Sequence, residues 1–231
     1  MIESCCTTLE QALSAQARGA GRIELCADLS VGGVTPPRNL IAAVVHALTI
    51  PVNVLIRPQK AARSGRYFGP RAFFCERNEI PERSDAFSTM DFVYEEDEIQ
   101  QMIDDIKYCQ SVGVAGIVVG ALTPAGAIDV AAMRRLVAAA QPLPVTFHRA
   151  YDVCTEDPFD ALEKIIGLGC TRLLTSGMAE TAWDGRDLIA RLVQRAGDRL
   201  IILAGRGVTP DNIKSLAAVT GAREFHGTAL P

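Results

Sequence analysis

The stretch PVTFHRAYD, residues 144–152, changes from apolar to polar residues, and this change indicates the fold of the chain. It begins with the alternating apolar residues of a buried strand and then becomes abruptly polar at His148, Arg149 and Asp152. Barrel strands that end in a binding site change in this way at their carboxyl ends. The stretch therefore raises the question of whether the same unit recurs along the chain.

The unit of a β-rich run, a polar or glycine-containing turn and an amphipathic segment recurs along the whole chain. The predicted strands are residues 2–5, 23–26, 52–56, 116–121, 145–148, 172–175, 200–204 and 224–226. The predicted helices between them are residues 8–18, 39–47, 96–112, 130–140, 158–168, 185–195 and 211–219. Strands that alternate with helices favour a parallel sheet with helical crossovers. Eight strands predict a (β/α)8 TIM-type barrel in one domain, residues 1–231, and an open doubly wound sheet is the alternative.

Two features depart from this pattern. Residues 60–90, after the third strand, are rich in arginine and aromatic residues, and they are predicted to form an inserted loop that acts as a lid or is disordered. The sequence ends at Pro231, soon after the eighth strand, so we expect the barrel to lack its last helix. The apolar flank left uncovered would favour a homo-oligomer.

Composition excludes several classes of function. The net charge of −4 gives no basic face for nucleic acid, and no apolar run approaches the roughly 20 residues that span a membrane. The first residues do not resemble a signal peptide, which favours a cytoplasmic location. The seven cysteines form neither a disulfide framework nor a CxxC pair, so most are expected to be small buried hydrophobic residues.

Strand alternation places polar side chains inside the predicted barrel near its carboxyl end, where TIM-barrel active sites lie. The residues predicted to face inward are Glu3, Cys5, Glu24, Cys26, Asn53, Leu55, Arg57, Thr146, His148, Glu224 and His226. One interpretation is a purely structural ionic network, with Glu24 paired to Arg57 and Glu224 to an imidazole. The other is a functional site, which the concentration of ionisable groups at one end favours.

Glycine-containing turns after the sixth and seventh strands suggest a place for an anion. AGRGVTPDNI, residues 204–213, carries Gly205 and Gly207 between a strand and a helix, and LTSG, residues 174–177, carries Ser176 and Gly177. Backbone N–H groups in such turns bind phosphate or carboxylate oxygens. The sequence therefore predicts a small anionic ligand at these loops.

Six ordered segments resemble those of the copper homeostasis protein CutC family. They are RIELCADLSVGGVTP, IPVNVLIRP, GIVVGALTPAGAID, VTFHRAYD, RLLTSG and EFHGTA, and the likeness runs from Met1 to Ala229. The resemblance implies a (β/α)8 barrel, cytosolic copper handling and copper binding. It also implies that the polar positions Cys5, Cys26, Arg57, His148 and His226, with Glu3, Glu24, Arg149 and Asp152, are those of the family. The family's Arg-Pro-Arg-Gly-Gly-Asp-Phe loop is here divided by residues 60–90, and the family's C-terminal tail is shortened.

Three functions follow from these residues. In the first, Cys5 and Cys26 bind Cu(I), which soft thiolates select. In the second, the protein is an enzyme for a small anionic or phosphorylated metabolite. Its catalytic residues would be Glu24, Arg57, His148, Arg149, Asp152 and His226, with the histidines as acid–base groups near neutral pH or as divalent-metal ligands. The third is a non-catalytic oligomeric scaffold.

Overall fold

The structure is a computed structural model that describes residues 1–58 and 87–228. In these residues eight parallel strands pair in sequence order, and the last strand pairs with the first to close a barrel. The strands are β1 Ile2–Cys6, β2 Arg22–Leu25, β3 Val52–Leu55, β4 Gly116–Val119, β5 Val145–Phe147, β6 Arg172–Thr175, β7 Ile201–Gly205 and β8 Glu224–Gly227. The predicted TIM-type barrel is confirmed.

Seven α-helices surround the barrel in the described part of the chain. They are α1 Leu9–Ala17, α2 Arg38–Ala47, α3 Glu96–Ser111, α4 Val130–Ala140, α5 Pro158–Gly167, α6 Arg186–Ala196 and α7 Ile213–Thr220. Three short 3-10 helices lie at Leu29–Val31, Thr89–Phe92 and Arg149–Val153. None of the described helices has both the length and the apolar character needed to span a membrane.

Polar residues in the turns fix where the helices begin. The Asp129 side chain accepts a hydrogen bond from the backbone N–H of Ala132 at the start of α4. Asp157 does the same for Phe159 and Asp160 in α5, which also has Pro158 in its first turn. These side chains satisfy N–H groups that have no partner inside the helix, and each such cap stabilises its helix by about 1 kcal/mol.

The main hydrophobic core lies between the outside of the barrel and the helices. Helix α3 shows the pattern, because Ile99, Met102, Ile106 and Cys109 recur at helical spacing and are all buried. Burial of one such aliphatic side chain stabilises the fold by roughly 1.5–3 kcal/mol. A separate small cluster of Cys5, Cys26, Leu55 and Val118 comes from inward-facing positions on or just after neighbouring strands.

The pairing of β8 with β1 completes the barrel. The register aligns Ile2 with Phe225 and Glu3 with His226. The N-terminal amino group of Met1 also donates to the carbonyl of Arg223 at 2.8 Å. Closure therefore depends on contacts between the first and the last described strands. Of the predicted inserted loop, residues 60–86 lie outside the described residues.

Candidate functional site

A buried layer of paired charges crosses the barrel near the amino ends of its strands. Arg22 Nη2 donates to Glu224 Oε2 at 2.6 Å, and Arg172 Nε donates to the same oxygen at 2.8 Å. Arg22 Nε also pairs with Glu3 Oε2, to which the amide of Asn53 donates at 3.2 Å. Buried charges are tolerated when they are paired and hydrogen-bonded in this way. This layer is structural, and it lies behind the residues that could bind a ligand.

Both ion pairs predicted for the structural network are wrong. Glu224 pairs with two arginines and not with an imidazole, and Glu24 pairs with His226 and not with Arg57. Arg22 lies two positions before Glu24, so alternation would have pointed it inward had the strand been started one residue earlier. Strand alternation predicts the side of the sheet on which a residue lies but not its partner across the barrel. The ion-pair partners of Glu24 and Glu224 could therefore not be predicted from the sequence.

Four side chains from β1, β8 and the end of β2 form a second group, here called the thiol–imidazole cluster: Cys5, Glu24, Cys26 and His226. The sulfur atoms of Cys5 and Cys26 are 3.4 Å apart. One ligand atom from each of Cys5, Glu24 and His226 lies within 4.8 Å of the other two. His226 Nε2 is hydrogen-bonded to Glu24 Oε2. The cluster thus brings two soft donors, an imidazole and a carboxylate to one place.

The environment of the cluster sets its protonation. Burial disfavours the imidazolium of His226, but the Glu24 carboxylate and contact with Cys5 raise the pKa of His226 well above its usual value. The hydrogen bond with Cys26, together with burial, raises the pKa of the Cys5 thiol well above its usual value. In the metal-free protein the cluster therefore holds an imidazolium–carboxylate pair beside a neutral thiol at Cys5.

Gly205 makes room for His226. A Cβ at position 205 would lie 2.5 Å from Leu174 Cδ1 and 3.4 Å from the Cβ of His226. The register places Gly205 beside His226 on the neighbouring strand. The absence of a side chain at Gly205 is explained by this packing. Its predicted role in anion binding stays a prediction.

Arg57 lies just after β3 and holds the loop after β2. Its Nη1 donates to the carbonyls of Val31 at 2.8 Å and Gly33 at 2.7 Å. Gly33 has a φ of +91°, and a Cβ there would lie 3.7 Å from the Cβ of Cys26. Arg57 therefore fastens the segment that packs against Cys26.

Five side chains at the mouth form a third group, here called the aromatic–cation cluster: Arg57, Phe87, Phe92, His148 and Arg149. The Phe87 and Phe92 rings meet edge to face with centroids 5.0 Å apart. The Arg57 guanidinium carbon is 5.1 Å from the Phe87 centroid and 5.3 Å from that of Phe92. Arg149 lies over Phe87 at 5.4 Å, and the His148 ring is 5.0 Å from Phe92. Sequence patterns missed both phenylalanines because they lie outside the periodic segments.

His148 is held neutral in this cluster. Its Nδ1 accepts a hydrogen bond from the backbone N–H of Ala150 at 3.2 Å, which puts the ring proton on Nε2. Burial, followed by the positive charges of Arg57 and Arg149, lowers the pKa of His148 to about 3. The His148 imidazole is therefore uncharged at neutral pH, and its predicted acid–base role stays a prediction.

Asp152 organises the loop after β6. Its carboxylate pairs with Arg149 Nε at 2.9 Å. Its carboxylate also accepts hydrogen bonds from the hydroxyls of Thr175 and Ser176 and from the backbone N–H groups of Ser176 and Met178. An acidic side chain of the protein itself thus accepts from the backbone N–H of Ser176, one of the groups predicted to bind an anion.

The other glycine positions of the predicted anion site also have contacts within the protein. Gly177 N donates to Thr175 Oγ1 at 2.8 Å, and the carbonyl of Gly207 accepts from the Asn212 amide at 2.7 Å. Gly207 has a φ of +69°, so glycine suits the turn for conformational reasons alone. Binding of an anion at Ser176, Gly177, Gly205 and Gly207 stays a prediction.

The structure thus sorts the predicted site residues into two adjacent groups. Cys5, Glu24, Cys26 and His226 lie together inside the barrel. Arg57, His148 and Arg149 lie together at the mouth, with Asp152 on the far side of Arg149. Arg57 contacts Gly33, which packs against Cys26, so the two groups share one loop.

Comparison with known proteins gives relatives over almost the full length of the chain. The CutC family protein of Parabacteroides distasonis is 45% identical over 231 residues, which cover 99% of this chain and 82% of the relative. The structure of a CutC protein from Streptococcus agalactiae, described as a candidate copper homeostasis protein, is 30% identical with a TM-score of 0.82. That match covers 100% of this chain and 99% of the other.

More distant structures share the fold alone. The aldolase QR15 is 9% identical with a TM-score of 0.66, and the match covers 98% of this chain and 89% of that protein. The sequence profile of the CutC family matches residues 1–67 and 88–230. The chain is therefore a member of the CutC family.

Proposed function

We propose that this protein takes part in copper homeostasis by binding Cu(I) at the thiol–imidazole cluster. The observation that carries the proposal is the 3.4 Å separation of the Cys5 and Cys26 sulfurs, with the ligand atoms of Glu24 and His226 beside Cys5. Its family and the description of the Streptococcus agalactiae relative support the same metal.

The donor set suits Cu(I). Thiolates are soft ligands that select Cu(I), and imidazole is a common further ligand for copper. Cys5 and Cys26 would supply the thiolates and His226 the imidazole. Glu24 would then act as the carboxylate that orients the histidine, an arrangement typical of metal sites. Because thiols and imidazolium must lose protons to bind a metal, binding would release protons.

The two alternative functions receive less support from the contacts. An acid–base enzyme would need a histidine that titrates near neutral pH, whereas His148 has a pKa of about 3 and His226 is held in the charged form. A scaffold without a ligand would have no need to place two thiols against an imidazole in the barrel interior. Copper binding accounts for that arrangement directly.

The test is a titration of reduced protein with Cu(I) in competition with a chromophoric Cu(I) chelator. The wild type should bind one Cu(I) more tightly than the chelator at matched concentration, and the double variant Cys5→Ala/Cys26→Ala should lose this binding. His226→Gln should weaken it, and Glu24→Gln should weaken it by about 10–100-fold as expected for an outer carboxylate.

Cys170→Ala is the matched control, because Cys170 is also buried but belongs to the outer core. It should bind Cu(I) like the wild type. Equal binding by the wild type and the double variant would refute the thiol site. Stoichiometric binding of Zn²⁺ in preference to Cu(I) would refute the choice of metal.

The same proposal places the protein in the cytoplasm. The described cysteines are free thiols, although the Cys5 and Cys26 sulfurs are close enough for an external oxidant to join them in a disulfide. Free thiols in contact are consistent with a reducing compartment. Assembly into a homo-oligomer also remains a proposal, which measurement of the mass in solution would test.

A further inference from the structure

The aromatic–cation cluster has a hydrogen-bond donor that no described residue accepts from. His148 is 5% exposed, and its Nε2 has no hydrogen-bond partner in the described structure. The Nδ1 atom accepts from Ala150, so Nε2 carries the proton and can only donate. A buried donor without a partner destabilises the fold, so its presence calls for an explanation such as a bound ligand.

The same cluster holds a positive charge that no carboxylate of residues 1–58 or 87–228 neutralises. Arg57 is 8% exposed, and its described hydrogen bonds from the guanidinium go to the carbonyls of Val31 and Gly33. Arg149 differs because it pairs with Asp152. A buried guanidinium without a paired anion is unfavourable, whereas one that binds an anionic group is a common recognition element.

These two features point to the same place. Arg57 and His148 both contact the Phe92 ring, with distances of 5.3 Å from the guanidinium carbon and 5.0 Å between ring centroids. The Phe87 ring centroid lies within 5.4 Å of the guanidinium carbons of both Arg57 and Arg149. A ligand that accepted from His148 and Arg57 together would therefore rest against aromatic rings.

We infer that the aromatic–cation cluster binds the carboxylate group of a small monoanionic metabolite, with His148 Nε2–H and Arg57 as its hydrogen-bond donors. Since Arg149 and Asp152 neutralise each other, the described residues leave one unbalanced positive charge, that of Arg57, and a single carboxylate would balance it. A guanidinium binds a planar carboxylate through parallel N–H groups, and the flat rings suit such a group.

This binding site is separate from the copper site. It uses no residue of the thiol–imidazole cluster, and it lies where strands β3 and β5 end, not at the loops after β6 and β7 where the sequence predicted an anion. It requires no metal. It can accordingly be tested in protein from which metal has been removed, so that its failure and the failure of the copper proposal are distinguishable.

The experiment is a titration of reduced, metal-free protein with sodium acetate, followed through the NMR signals of the three histidine rings. At constant ionic strength, acetate should shift the His148 signals in a saturable way and leave those of exposed His46 unchanged. Arg57→Met should weaken acetate binding by about 10–100-fold, the value of one charge-assisted hydrogen bond.

Arg186→Met is the matched control, because Arg186 also lies over an aromatic ring, Trp183 at 5.1 Å, and donates to a backbone carbonyl. It should bind acetate like the wild type. A His148 shift that does not saturate, or equal acetate affinity in Arg57→Met and the wild type, would overturn the inference. Tighter binding of inorganic phosphate than of acetate would overturn the choice of carboxylate.

A second pair of variants tests the same site if Arg57→Met does not fold. His148→Phe fits an aromatic environment and removes the donor, whereas His148→Gln keeps an N–H group. Acetate should raise the melting temperature of the wild type and of His148→Gln but not that of His148→Phe. Stabilisation of His148→Phe by acetate equal to that of the wild type would exclude His148 as a donor.

Discussion

Two histidines, His148 and His226, each stand at the end of a barrel strand, yet they are held in opposite protonation states. His226 faces the carboxylate of Glu24 and is kept charged, whereas His148 faces Arg57 and Arg149 and is kept neutral. Burial acts in the same direction on both, so the neighbouring charges decide the difference. Two histidines that look alike in the sequence are thus held in opposite protonation states by the charges that surround them.

Of the variants considered, Asp152→Asn should lose the most free energy of unfolding. The Asp152 carboxylate accepts six described hydrogen bonds from five donor groups, and Asp152→Asn replaces one of its oxygens with an NH₂ group that would face N–H and O–H donors. We expect a loss of about 3–5 kcal/mol in the free energy of unfolding, as for a broken buried ion pair. Urea unfolding followed by circular dichroism measures this loss.

Glu163→Gln is the control for that variant. Glu163 also pairs with two arginines, Arg195 and Arg199, but on the surface. Its urea midpoint should match that of the wild type, since surface pairs contribute little. Equal destabilisation in the two variants would show that Asp152 is not a special organising residue.

The neutral state of His148 should make stability depend on pH. Its folded pKa of about 3 lies below the unfolded value of about 6.5, so the unfolded chain binds the extra proton between these values. Stability should therefore fall as the pH is lowered from about 6.5 toward 3, by roughly 1 kcal/mol per pH unit from this group. Urea titrations at several pH values, compared between the wild type and His148→Phe, isolate this slope.

His46→Phe provides the comparison for the pH series, because His46 is exposed on α2. It should keep the slope of the wild type. If His148→Phe keeps that slope as well, His148 is not the neutral histidine of the mouth, and the contrast with His226 disappears.

The charged state of His226 should depend on Glu24. In Glu24→Gln the carboxylate is lost while burial remains, so the pKa of His226 should fall below its value in the wild type. The raised pKa contributes stability that is fully present below the unfolded value and is lost as the pH rises through the folded value. At neutral pH the variant should lose about 1–2 kcal/mol, a smaller change than in Asp152→Asn.

An NMR titration of the histidine rings measures the pKa of His226 in Glu24→Gln. Its His148 signals serve as an internal reference, since they should titrate as in the wild type. An unchanged His226 pKa would mean that another group, such as Glu3, holds the imidazolium, and the proposed role of Glu24 would have to be given up.

The smallest effect is expected for Gly205→Ala. The added methyl group would meet Leu174 Cδ1, a flexible side-chain end that can move, and would press only lightly on His226. We expect a loss of about 1 kcal/mol in unfolding free energy, near the lower end for overpacking. Cu(I) affinity should fall only slightly, and the competition titration measures it. A large loss of affinity would show that His226 has no freedom to adjust.

The barrel could be predicted because its signal is repeated. Eight short strands and seven amphipathic helices recur at similar spacing, and an error of one residue at an end leaves the count intact. Inside the barrel, by contrast, an error of one residue at a strand end changes the predicted set of inward-facing residues. A predicted start at Ile23 instead of Arg22 removed one arginine from the inward-facing residues and left one of the two partners of Glu224 unidentified.

The site could be predicted only in part. Alternation correctly brought Cys5, Cys26, Glu24 and His226 to the interior, because inward direction is a local property of each strand. The partner of Glu24 depends on which side chains meet across the barrel, which is a property of closure and register. The Phe87 and Phe92 rings lie in a segment without periodicity, so no pattern indicated that they gather the charged groups of the mouth.

The pairing of β8 with β1 has a consequence for the order of events during synthesis. Cys5, Glu24 and Cys26 belong to the first two strands of the barrel, but His226 comes from the eighth. A growing chain on the ribosome would expose the first thiols long before the imidazole that completes their surroundings exists. Contacts between such distant parts of a sequence form late and slowly. The complete donor set is therefore assembled only by a finished barrel, and a partly made chain offers incoming metal no more than an unprotected pair of thiols.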